Sequence, residues 1–405
     1  MSGRGSPERG SILIHTALAL VSFTTVSALV VDLGLQLVAR HQIQTSADAA
    51  ALAAATALSF ESYTDRTDSG PAKRTALAVA TTNTVWGQAP AVAAADVTFP
   101  VCADSFEAGP SAPPKLACVN VAVYRDGAHS NPLATMFAQL AGVNTAGVAA
   151  AATAESKEGN ATDCLKPLAV PDRWIERYPA SGSWTPTSTF DKWNPSSPST
   201  LLSPPDSYAA PTALSSGSGL TMTNAFGTQV VVTPGSTAQP VSPISPWKYL
   251  PVQIPGSLYG TDIRQNIEQC AGAMVAIGDR LTIGPGGVSG VVATALQTLV
   301  TRDPGARWDA ATQRIVASCA DAIPRCASMS PRLIALAVYD PGDLADASRA
   351  GATSLLVRNI VGFFIDSVSG TNATGHITRH PGRNQTTAIR LIDGSSFLRA
   401  SLLVE

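Results

Sequence analysis

The chain has 405 residues, 45% of them hydrophobic and only 14% charged, with Lys+Arg 27 against Asp+Glu 29 for a formal net charge of −2. That length suits roughly two folded units with connections, and the lack of a basic surplus excludes an electrostatic footprint for nucleic acid. The charged share lies well under the roughly 25% of a soluble domain, yet apolar runs recur along the whole chain, which excludes a disordered polymer.

The first element is an apolar run, residues 12–31, reading ILIHTALALVSFTTVSALVV without one formal charge. As a helix it spans about 30 Å, the thickness of a bilayer core. Ile12, Leu13, Leu18, Leu20, Val21, Phe23, Leu29 and Val31 are its expected lipid-facing residues. His15, near one end, can reach the headgroups. Arg4 and Arg9 precede the run, and Arg40 is the only Lys or Arg in about 20 residues after it. The positive-inside rule therefore places residues 1–11 in the cytoplasm and the rest outside. A signal peptide cut after Val26-Ser27-Ala28 is the competing reading, but the run is long for one and does not stop there.

From residue 32 to 60 there is no proline and one glycine, Gly34, so the helix is expected to continue as a stalk. Ala47, Ala50, Ala51, Ala54 and Ala55 fall at i, i+3, i+4, i+7 and i+8, a small-residue stripe that lets another element approach closely. A second helix is predicted at 71–86 and strands at 96–101 and 116–124, the latter alternating as CVNVAVY. A short helix at 132–141 and an alanine-rich strand at 148–155 complete a pilin-like α+β unit over residues 32–158.

Residues 159–256 are dense in Pro, Ser and Thr, with a strand expected at 228–233. Trp174, Tyr178, Trp184, Phe190, Trp193, Tyr208, Trp247 and Tyr249 punctuate this stretch, so it is expected to pack on a domain rather than hang free. The region 257–405 is predicted to hold helices at 262–273 and 289–301, then strands at 332–339, 361–368 and 375–378. The fold class is α+β: an N-terminal transmembrane helix continuing into a pilin-like stalk, followed by a mixed, loop-rich ectodomain with small antiparallel sheets.

Six cysteines, Cys102, Cys118, Cys164, Cys270, Cys319 and Cys326, all follow the apolar run. An even count there fits three disulfides in an oxidising compartment. Of 15 connectivities, the short loops Cys102/Cys118 and Cys319/Cys326 are the simplest, leaving Cys164 with Cys270. No pair has C-x2-4-C zinc spacing.

Motifs that could carry chemistry are few. Gly284-Pro-Gly-Gly287 before a helix could cradle an anion, but it lacks the Lys of a phosphate loop, and a turn with Ser289 or a neighbour as helix cap is the simpler reading. His376 and His380 have i, i+4 spacing but sit between Gly375 and Pro381 with no glutamate, so surface histidines are expected. Asp303 and Asp309 flank Trp308 in what reads as a solvated turn. No Gly-x-Ser-x-Gly string occurs. The reading is therefore no catalytic residue, no cofactor and no metal.

The stretch Arg9-Gly10-Ser11 with the apolar run, then ALVVDLGLQLVARHQIQTSADAAALAAATAL (28–58), resembles the N-terminal region of TadE/TadG-like proteins of the tight-adherence (Flp) pilus assembly system. The likeness is carried by the apolar helix closed by Val31-Asp32, the polar segment with Arg40 and Gln44, and the block from Ser46 through Asp48 to Leu52. Later segments, among them CVNVAVYRDG, Asp303-Pro-Gly-Ala-Arg-Trp308 and VGFFIDSVSG, also look like that family. Pseudopilins of this system are cut after a glycine and carry a glutamate five residues on; counted from Gly10 that place holds His15, so the pattern of a processed subunit is not met. The strings Asp366-Ser-Val-Ser369 and Asp393-Gly-Ser-Ser396 are out of register for the metal loop of a von Willebrand A-type domain. The resemblance implies a non-enzymatic, single-pass inner-membrane protein of pilus assembly, with the lipid bilayer and other pilus assembly or pseudopilin proteins as partners. The alternative is an exported ligand-binding protein, adhesin or hydrolase sharing the same anchor.

Overall fold

The computed structural model describes residues 8–58, 66–100, 118–179, 182–238, 241–319, 329–392 and 394–404. Helix α1, Glu8–Leu58, is one uninterrupted helix of 51 residues, about 75 Å long at 1.5 Å per residue. Its interior has no proline to remove a hydrogen bond. Its threonines turn inward on the backbone: Thr16 Oγ1 donates to Ile12 O at 2.8 Å, Thr25 Oγ1 to Val21 O at 2.8 Å, and Thr24 Oγ1 to Leu20 O at 3.0 Å. These hydroxyls are satisfied without water.

The upper part of α1 lies on α2 (Pro71–Thr82) and on a five-stranded sheet. The sheet runs Val97–Thr98, Cys118–Arg125, Val148–Glu158, Leu398–Val404, His380–Pro381. All neighbours are antiparallel except the last pair. In Cys118–Arg125 the alternation is the expected one: Val119, Val121 and Val123 are buried and the residues between them half-buried. Their face joins Ala39, Ile43, the alanine stripe, Ala76 and Ala80 in one core. Ser46 Oγ donates to Ala80 O at 3.0 Å inside it, and the Thr56 and Ser401 hydroxyls meet at 2.8 Å, fastening α1 to the last strand.

A larger sheet of seven strands forms the rest. It is mixed: Leu165–Pro171 pairs parallel with Leu333–Tyr339, and Gln229–Pro234 parallel with Lys248–Gln253. Gln229–Pro234 also pairs antiparallel with Asn372–Thr378, so the strand pairing closes on itself. Leu165–Pro171 and Leu333–Tyr339 are buried at every position, as expected for strands covered on both faces. One face carries helix α4 (Ser289–Arg302, after the short α3, Ile263–Glu268), through Val292, Ala295, Leu296 and Leu299. The other carries Leu344 of α5 (Pro341–Arg349) with Trp174 and Phe190. Gly375 lies opposite Ile365 of Ser354–Ser369, and a Cβ there would fall 2.6 Å from the Phe363 ring and nearer still to Phe364 O.

The Pro/Ser/Thr-rich stretch is held by aromatics: Trp184 meets Trp174 edge-on at 5.8 Å and Trp247 at 6.2 Å, and Phe190 meets Trp174 at 5.6 Å. Such contacts, worth about 0.5–1.5 kcal/mol each beyond area burial, explain why a loop-rich segment is ordered. Three predicted helices are shorter than expected; the one over 71–86 ends at Thr82, where Asn83 turns to extended backbone. Residues 132–141 give a two-residue strand, Leu133–Ala134, and a single 3-10 turn, Ala138–Ala141, closed by Gly142 in the left-handed region at φ 85°. The helix expected over 262–273 stops at Glu268, because Cys270 is drawn into a disulfide with Cys164, Cα–Cα 4.4 Å, and Gly272 turns at φ 71°. Cys118 and Cys319 are also disulfide-bonded; Cys102 and Cys326 lie outside the described residues, and so do those two expected pairings.

Candidate functional site

Helix α1 contains two surfaces along one axis. From residue 12 to 31 every Ile, Leu, Val and Phe is exposed, including Ile12, Leu13, Leu18, Leu20, Val21, Phe23, Leu29 and Val31. Only 6% of its apolar window is buried inside the protein, unlike the core helix of a globular domain. By length and composition this is the one described helix able to cross a membrane. Above it, Ala47, Ala50, Ala51, Ala54 and Ala55 are all fully buried. Methyl side chains place the helix backbone close to the sheet, which Leu or Phe would hold off.

Between the two surfaces stands Asp32. It is buried, and its carboxylate accepts three backbone N–H groups: Met136 at 3.1 Å to Oδ1, Phe137 at 3.1 Å to Oδ2, and Ala138 to Oδ2. Asp32 therefore does for the 3-10 turn what a capping residue does for a helix, neutralising donors that have no partner of their own. This contact ties positions more than 100 apart, and nothing local in the sequence signals it.

The motifs weighed for chemistry do not assemble. Helix α4 starts after Val288 without a side-chain cap, so neither Ser289 nor a neighbour fills that role. The groove along it is lined by Gly290, Ala293, Thr294, Gln297, Thr298, Thr301, Val368 and Gly370, none of which titrates. The expectation of surface histidines fails. His380 is buried with Nδ1 2.6 Å from Pro381 O, and burial pushes its pKa down to about 4. His376 is half-buried, stacked on Trp308 at 5.1 Å and 2.9 Å from Asp366. Asp303 is buried and accepts from Ser318 Oγ, Ser330 Oγ and Cys319 N, while Asp309 closes its own turn on Ala311 N and Thr312 Oγ1.

Sequence reasoning missed two acidic sites. Asp172 is fully buried, accepting from Arg173 N, Leu220 N and Tyr208 Oη at 2.8, 2.6 and 2.7 Å. Burial, against those hydrogen bonds, pushes its carboxyl up to about 6. Glu176, Asp191 and Asp206 each bring one oxygen within 4.8 Å of the others. Asp206 already accepts from Arg177, Tyr178 and Asp191 N–H groups, Asp191 from Thr189 Oγ1 and Glu176 from Trp174 Nε1, so loop closure accounts for the cluster. The spacing of these residues carries no recognisable signal.

Comparison with curated proteins and with solved structures returns no match. Residues 10–57, which are the two-surfaced helix almost in full, match the family model described as “Putative Flp pilus-assembly TadE/G-like”, and the N-terminal helix of this chain is thus TadE/G-like.

Proposed function

We propose that this protein is a single-pass, extracytoplasmic component of Flp pilus assembly, non-catalytic and acting by helix packing and protein–protein contact. The N-terminus lies in the cytoplasm, residues 12–31 cross the inner membrane, and the disulfide-bonded remainder stands outside. One observation carries this: a continuous helix leaves all its large apolar side chains uncovered over 12–31 and buries its alanines in the ectodomain over 47–55. Uncovered Leu, Ile, Val and Phe at this density call for a water-free cover, and a run of this length fits the one a bilayer core supplies. The fixed upper half then transmits any displacement of the span to the sheet.

Pilus subunits or other assembly proteins are the partners this reading implies. The test is to replace residues 1–31 by a cleavable export signal. A soluble, folded ectodomain together with loss of piliation supports the proposal. An ectodomain that still sediments with carbonate-washed membranes overturns the anchor, and normal piliation overturns the assembly role.

A further inference from the structure

The turn that Asp32 holds is itself apolar and uncovered: Met136 is 54%, Phe137 40%, Leu140 86% and Val143 52% exposed. From Asn131 to Ala154 the sequence has no Lys, Arg, His, Asp or Glu. We infer that this turn, Met136 to Val143, is a second membrane contact, inserted in the headgroup–acyl boundary of the bilayer that α1 spans. The inference rests on the anchor reading above.

Three further observations support lipid as the occupant. Asp32 follows the last residue of the span, and its carboxylate grips the turn's own N–H groups, so the turn is fixed at the level where α1 leaves the hydrocarbon. At that end of the span Leu33, Leu37 and Val38 of α1 are exposed as well. Ile12 to Val38 is about 40 Å of helix, the thickness of a bilayer with its headgroup regions.

The turn is also built for a water-poor medium. Besides the three N–H groups given to Asp32, Leu140 N donates to Phe137 O, Gly142 N to Gln139 O and Val143 N to Ala138 O, each at 3.0 Å. Gln139 Nε2 donates to Met136 O at 2.7 Å and Thr135 Oγ1 to Val143 O. Most of the turn's N–H groups are thus paired inside the protein, which lowers the cost of taking them out of bulk water. Two contacts, span and turn, would fix the rotation of the ectodomain about α1.

The test uses the full chain in vesicles of phosphatidylethanolamine and phosphatidylglycerol, with one nitrobenzoxadiazole probe placed through Leu140→Cys. No described cysteine is free to compete for it. Lipid-borne nitroxide is expected to quench this probe several-fold more than aqueous iodide does. The reverse is expected for Leu214→Cys, which is 90% exposed elsewhere in the ectodomain. A probe at Leu20→Cys reads the anchor separately. Lipid quenching at 20 with iodide quenching at 140 overturns this inference alone, and iodide quenching at 20 overturns the anchor. Shielding of 140 from both quenchers means that protein covers the turn, and overturns lipid as its occupant.

Discussion

The two halves of α1 are both apolar, both helical and equally free of proline, yet they solve opposite problems. The lower half carries Leu, Ile, Val and Phe that stay exposed; the upper half carries alanines with no exposed surface left. Side-chain size, rather than hydrophobicity, separates them. On the proposed anchor reading, bulky residues fill the spaces between mobile lipid chains, whereas methyl groups permit a rigid sheet to approach the backbone.

The sharpest way to break this comparison is to put a charge in the lower half. Leu20→Arg is expected to cost about 3 kcal/mol of insertion free energy, visible as loss of the membrane-integrated fraction, with ectodomain stability unchanged once the chain is solubilised. Enlarging the upper half should do the converse. Ala51→Leu is expected to destabilise the ectodomain by about 1–3 kcal/mol through overpacking, measured by urea unfolding, and to leave membrane integration intact. If Ala51→Leu proves neutral, the stripe is not close-packed.

Hydroxyls sharpen the contrast. Ser46→Ala removes a buried bond to Ala80 O and is expected to cost about 1 kcal/mol. Thr24→Val, whose hydroxyl only folds back on its own helix, should be near neutral in the same assay. Asp32→Ala should act locally, speeding amide exchange at Met136, Phe137 and Ala138 while protection in Cys118–Arg125 persists. As a control away from the helix, Asp172 binds a proton more tightly folded than unfolded, its pKa standing near 6 against an ordinary 3.8. Its contribution to stability is therefore full below pH 4 and lost as pH rises through about 6, a dependence that Asp172→Asn should abolish.

Much of α1 was legible in the sequence because both its signals are local: an uncharged run of bilayer length and an alanine stripe at helical spacing. The strand Cys118–Arg125 was legible through alternation, and Val148–Glu158 beside it was expected too, but the C-terminal strands that complete their sheet were not. The larger sheet was harder to read. Leu165–Pro171 and Leu333–Tyr339 are buried on both faces, so alternation is missing and a continuous apolar run shows neither partner nor direction. The overestimated helices at 132–141 and 262–273 had helical residues but were overruled by a glycine turn and a disulfide. Asp32 read only as the end of a hydrophobic run. Its three partners are brought in by tertiary structure, and no periodicity encodes them. The same holds for Asp172 and Tyr208.

The bond between Thr56 and Ser401 joins positions 345 apart in the chain, and the strand that carries Ser401 pairs with the middle strand of the sheet under α1. Translated into the time order of synthesis, α1 is made hundreds of residues before the strand it is fastened to. While the chain emerges, Val148–Glu158 has one side unpaired, an open edge of the kind that recruits the wrong strand. Closure so late is slow by loop entropy but self-checking: a chain cut short before residue 398 cannot finish the seat of its own helix.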